Sequence, residues 1–142
     1  MEPVVTYVHP LRSRYSETDQ MGYVYHGRFL EYFEAARTEF IREAGFTYQK
    51  LEETGVMMPV VSVTINYRKP VFYDELIHVI LKIYREPTVK LETHYEVVSA
   101  ETKELKAEGK VILCFVDAAN RKLCHAPESF LKAVREFLDN GL

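Results

Sequence analysis

The chemistry-bearing residues of this 142-residue chain gather in one stretch, Arg14 to Gly27. It holds a phenol, Tyr15, an acid, Asp19, an imidazole, His26, and two glycines, Gly22 and Gly27. The periodicity of the residues that follow predicts a long helix starting at Gly27. A helix start carries unpaired backbone N–H groups and a partial positive charge. Gly22 and Gly27 allow backbone to approach a ligand closely. A carboxylate facing a carbonyl whose oxygen is held by such N–H groups is a hydrolytic arrangement. Each residue also has a plainer use. Asp19 would serve as a cap or turn residue, Tyr15 as packing, His26 as a solvated cap and Gly22 as an ordinary turn glycine.

Other reactive side chains form no comparable cluster. His9, His78, His94 and His125 are scattered, and no pair has metal-ligand spacing, so no metal is expected. Cys114 falls in an apolar run and reads as core, while Cys124 falls in a loop. Cys124 and His125 are sequence neighbours that would point apart on a strand, which argues against a Cys–His nucleophile. Glu34 and Arg37, three residues apart on the predicted helix, read as a structural ion pair. Arg68 with Lys69, and Arg121 with Lys122, are small basic pairs. They suit either solvated turns or the phosphates of an anionic ligand.

These residues need a scaffold. Tyr7–Tyr15 alternates loosely as a first strand, and Pro10 within it suggests an edge position. Residues 27–44 take helical period, with Phe29, Phe33, Ala36 and Phe40 on one face and Gly45 at the C-terminal cap. Thr47–Glu53 reads as a short second helix. From Val61 the period becomes two. Val61–Tyr67 reads as a half-buried strand, and Leu76–Tyr84 and Val89–Val97 as further strands. Leu105–Asp117 reads as one long strand. Pro127 opens a C-terminal amphipathic helix carrying Phe130, Val134 and Phe137. Runs of strands joined by tight turns argue for an α+β class. The economical arrangement is a curved antiparallel sheet around the one long helix. Such a sheet ends in an open edge strand, which favours pairing with a second subunit.

Composition sets the limits. Hydrophobic residues make up 47% and charged residues 27%, which excludes intrinsic disorder. The length fits one domain spanning 1–142. Lys plus Arg number 18 against 21 Asp plus Glu, a net charge of −3, which argues against a nucleic-acid partner. No run approaches the ~18 apolar residues of a membrane span. Two cysteines and no basic-then-apolar leader point to the cytoplasm.

The stretch from Tyr15 to His26, followed by Leu30, Glu34 and Arg37, resembles the hotdog-fold acyl-CoA thioesterases. It is most similar to the branch of the hydroxybenzoyl-CoA and Tol-Pal-associated (YbgC-like) enzymes. That pattern is an Asp-x-x-Gly-x-Val-x-His loop ahead of a helix with a Glu-x-x-Arg pair. The strand Val61–Tyr67 running into Arg68, Lys69, Pro70 and Asp74 also matches, as does the order of elements over nearly the whole chain. Arg28 and Phe29 stand where relatives often carry Asn and Tyr. The resemblance implies a hotdog fold with a five-stranded antiparallel sheet. It implies hydrolysis of acyl-CoA or acyl carrier protein thioesters without a cofactor, in a homodimer or homotetramer. Asp19 would be nucleophile or general base, with Tyr15 and His26 as accessory catalytic residues. Gly22, Val24, Tyr25, Gly27, Arg68 and Lys69 would contact substrate. A dehydratase, with its acid and base centred on the helix, and a non-catalytic acyl-binding scaffold are the alternatives.

Overall fold

The computed structural model describes residues 2–139. In chain order the elements are β1 (Val5–Arg12), α1 (Phe29–Glu43), α2 (Tyr48–Glu53), β2 (Val56–Met57), β3 (Val60–Tyr67), β4 (Leu76–Ile83), β5 (Lys90–Ser99), β6 (Leu105–Cys114), β7 (Val116–Asp117) and α3 (Glu128–Asp139). Single 3-10 turns occupy Tyr15–Glu17 and His26–Arg28. Five strands form one antiparallel sheet in the order β1-β4-β5-β6-β3, and β2 pairs with β7.

The core forms where the apolar face of α1 meets the inner face of this sheet. Phe33 and Ala36 are fully buried, with Phe29 and Phe40 nearly so, as the helical period predicts. Facing them are Ile77, Val79, Leu81 and Ile83 of β4 and Leu91, Tyr95 and Val97 of β5, all buried. Each such apolar side chain contributes roughly 1.5–3 kcal/mol. Helix and sheet meet closely at Phe33, whose ring stacks on Tyr95 with centroids 4.4 Å apart. A Cβ on Gly109 of β6 would come within 2.6 Å of the Phe33 ring, so only glycine fits beneath it. The helix ends in a Schellman motif. Phe46 N–H bonds the Ile41 carbonyl, Gly45 N–H bonds that of Arg42, and Gly45 takes φ 83°. Thr47 Oγ1 then caps α2 by accepting from Lys50 N–H.

Several expected boundaries move, each for a local reason. The first strand stops at Arg12. Ser13 instead bonds the neighbouring turn, donating through Oγ to the Phe72 carbonyl and through N–H to that of Glu75. Pro10 does sit on an edge strand, since β1 pairs only with β4. The run Leu105–Asp117 is not one strand. Cys114 N–H bonds Pro59 and Phe115 N–H bonds Val89, after which β7 crosses to β2.

Two side-chain expectations are corrected. Glu34 is exposed and does not pair with Arg37. Arg37 turns into the core, where Nε donates to the Tyr48 hydroxyl (3.0 Å) and a terminal nitrogen to that of Tyr95 (3.1 Å). β3 is not half-buried. Val60, Val61, Val63 and Tyr67 are all 42% exposed or more. β3 is one of the two edges of the sheet, opposite β1, and among the described residues no strand pairs with its outer side.

Candidate active site

The loop before α1 is a small hairpin. Glu17 accepts from Tyr25 N–H through its main-chain carbonyl, Thr18 bridges Val24, and Asp19 N–H bonds the Tyr23 carbonyl. The tip is the three residues Gln20–Gly22, closed by Gly22 N–H to the Asp19 carbonyl. Gly22 takes φ 79°, the left-handed conformation that a three-residue hairpin requires at that position. The turn role of Gly22 is therefore real, and Gly22 does not line the cleft described below.

Asp19 is half-buried. Its Oδ1 accepts from Met21 N–H at 2.9 Å and from Tyr23 N–H at 3.4 Å. Oδ2 accepts no hydrogen bond among the described residues. One carboxylate oxygen thus holds the turn, as the plain reading of Asp19 expects.

One side of the hairpin docks on residues 71–72. Val24 N–H bonds the Val71 carbonyl at 2.8 Å, and Tyr23 bridges Phe72. The chain then enters α1 through the 3-10 turn, where Arg28 and Phe29 N–H groups bond the Tyr25 and His26 carbonyls. These tight bonds delay the α-helix from Gly27 to Phe29. Among the described residues the N–H groups of His26 and Gly27 bond no backbone carbonyl, which leaves them as free donors at the helix entrance.

Asp19, Val24 and His26 line one cleft of about 280 Å³ together with Phe29, Tyr67, Arg68 and Lys69. Five of the expected site residues thus meet in one hollow. Tyr25 and Gly27 flank it without lining it, the Tyr25 ring packing at a tilt against His26 with centroids 4.3 Å apart. A Cβ at Gly27 would fall 2.8 Å from that ring. Tyr15 stands apart. It is 77% exposed and its ring packs edge-on against Tyr73. Arg68 pairs with Glu108, and Lys69 with Glu104 at 3.3 Å, yet both side chains stay more than half exposed beside the cleft. Arg28 pairs with Glu31, and Phe29 is buried against Tyr67 and Tyr32. A larger hollow of about 590 Å³ lies between Arg12, Glu75 and Glu101 and holds none of the expected site residues. Its deepest charge, Lys106, is held by Glu75, Glu104 and the Pro70 carbonyl. No group of three or more metal-ligating side chains forms among the described residues.

Three contributors escaped the sequence reading. Tyr67 donates to the His26 carbonyl at 2.8 Å, and burial, then Tyr25, raises its pKa. Glu17 is 8% exposed, and its Oε1 accepts from Arg14 N–H (2.7 Å) and from the Tyr32 hydroxyl (2.9 Å). Burial, then the Glu17 hydrogen bond, raises the Tyr32 pKa. The available signal was Tyr32 itself, a phenol on the inner face of α1 that burial obliges to find a partner.

The fold is that of the hotdog thioesterases. A thioesterase-like superfamily profile matches residues 13–134, and the chain belongs to that superfamily. YneP of Bacillus subtilis (strain 168) is 50% identical over 62 residues, an alignment that spans 44% of this chain and 45% of YneP. The acyl-CoA thioester hydrolase YbgC of Escherichia coli O6:H1 is 29% identical over 127 residues, 89% of this chain and 94% of that one. The crystal structure of a DHNA-CoA thioesterase from Staphylococcus aureus superposes with TM-score 0.84 at 28% identity, covering 95% of this chain and 93% of that one. No helix among the described residues is long and apolar enough to cross a membrane.

Proposed function

We propose that the chain hydrolyses acyl-CoA thioesters, or the equivalent acyl carrier protein thioesters, at the Asp19 cleft. The observation that carries this reading is the meeting of the Asp19 carboxylate with the helix entrance at His26 in one hollow. A thioester carbonyl oxygen directed at the free N–H groups of His26 and Gly27 would be polarised as negative charge develops on it. Asp19 then has two routes. As general base it takes a proton from water while the water oxygen bonds the carbonyl carbon. As nucleophile it bonds that carbon itself, and water later cleaves the mixed anhydride. Either route ends in a free acid and a thiol. Arg68 and Lys69, exposed at the rim, suit the phosphates of the nucleotide. Tyr15 is assigned no step, because its ring lies against Tyr73.

The bare apolar edge of β3 supports a homodimer made by pairing two β3 strands, with a tetramer built from two such pairs. Two free cysteines suit a reducing cytoplasm.

The test is Asp19→Asn assayed by thiol release from a panel of acyl-CoA esters. The neutral amide keeps the turn, so binding should persist while kcat falls at least about 100-fold. Turnover near the wild-type rate would remove Asp19 from the chemistry. Loss of thiol release across the panel by the unaltered protein would favour the acyl-binding scaffold.

A further inference from the structure

We infer that Glu17, through Tyr32, is a positioning residue for Asp19; this rests on the hydrolytic reading of the Asp19 cleft. Glu17 is a buried carboxylate outside the cleft. Burying a charge without strong partners is costly. The partners it does have all belong to the parts that must hold the hairpin still. Its Oε1 takes the Arg14 N–H at the hairpin entrance and the Tyr32 hydroxyl from α1. Oε2 lies 3.6 Å from the Arg14 guanidinium. Its main-chain carbonyl takes the Tyr25 N–H at the hairpin exit.

One residue therefore joins both ends of the hairpin and links them to the central helix. Asp19 sits two residues beyond Glu17, and His26 one residue beyond Tyr25. The opposite side of the hairpin is held by Val24 to Val71 and Tyr23 to Phe72. The Glu17–Tyr32 bond is a side-chain attachment of the hairpin to the central helix, beside the main-chain bond from Arg28 N–H to the Tyr25 carbonyl at the hairpin exit. Misplacing a reacting group by about 1 Å can cost 100-fold in rate. Ground-state binding, which uses the cleft walls and the rim cations, does not depend on this bond.

The experiment compares Tyr32→Phe, Glu17→Gln, Glu17→Leu and the Glu17→Leu/Tyr32→Phe double variant, with Asp19→Asn alongside. Steady-state thiol release and thermal melting are measured for each. Gln keeps an oxygen that can accept both hydrogen bonds, so kcat should stay within about threefold of wild type. Tyr32→Phe should lower kcat about tenfold and Glu17→Leu about thirtyfold or more, with KM within about twofold. The double variant should match Glu17→Leu alone, because Tyr32 acts through Glu17. If Glu17→Leu does not fold, Tyr32→Phe against Glu17→Gln carries the comparison. Wild-type kcat in Tyr32→Phe, with Asp19→Asn inactive, overturns the positioning role alone. Multiplicative losses in the double variant, or losses in KM instead of kcat, overturn it too. Full activity in Asp19→Asn overturns the reading beneath it.

Discussion

The Tyr67 hydroxyl donates to the His26 carbonyl at 2.8 Å across 41 residues of sequence. This bond ties the entrance of α1 to the end of β3, an edge strand of the sheet. The peptide that leaves His26 is thereby oriented by a strand whose outer side is bare. The bond therefore offers a direct link between the edge strand and the helix entrance.

That coupling gives the first prediction. A charge on the apolar edge, Val63→Lys, should block pairing of two β3 strands. Analytical ultracentrifugation should show a dimer or tetramer converted to monomer, and kcat should fall at least about tenfold in the same sample. A wild-type protein that sediments as a monomer, or a Val63→Lys monomer with full activity, would contradict the coupling.

Gly22 separates turn geometry from ligand approach. A Cβ there meets nothing within 4 Å, so Gly22→Ala costs only the strain of φ 79°, about 1 kcal/mol. Asn tolerates that conformation better than Ala. Gly22→Ala should lower the melting temperature by a few degrees and reduce kcat, and Gly22→Asn should recover most of both. Equal activity losses in Ala and Asn with unchanged melting would instead mean that a ligand needs the space.

Arg68 and Lys69 are predicted to act on the nucleotide and not on the thioester. Each already has a surface carboxylate partner, Glu108 or Glu104, whose pairing in water is weak. A phosphate can therefore compete for them. Neutralising both to Gln should raise KM for CoA esters about tenfold and leave KM for short thioesters without the nucleotide nearly unchanged. Added salt should shrink the difference. Equal effects on both substrates would assign the pair to the fold.

The architecture was legible because its signals are periodic. Alternation in Leu76–Tyr84 and helical spacing in Phe29–Phe40 survive without knowledge of partners, and both faces are buried as expected. Asp19 and His26 were legible through the loop pattern and its family resemblance, and the cleft brings them together. What escaped depends on distant partners. Arg37 looked paired with Glu34 by helix spacing, but two phenols from α2 and β5 outcompete it in the core. Val61–Tyr67 alternates like a half-buried strand, yet α1 lies mainly over β4 and β1, which leaves β3 exposed. Glu17 carries no periodic signal, because its partner Tyr32 lies fifteen residues away on another element.

Alkaline unfolding tests the phenol environment of the core. Tyr7 is buried against Phe40 and Phe137, and burial, then the charge of Glu43, pushes its pKa up to about 12. In the unfolded chain a tyrosine titrates near pH ~10. Between those values the unfolded chain has released the proton and the native chain keeps it. The native state then binds more protons, so stability falls as pH rises through the window and is fully present below it. Burial raises Tyr32 and Tyr95 in the same direction, which steepens the fall. Urea midpoints measured from pH 8 to 11 should drop with pH, and Tyr7→Phe should flatten the slope by about one proton. An unchanged slope in Tyr7→Phe would mean that the Tyr7 hydroxyl reaches water in the native state.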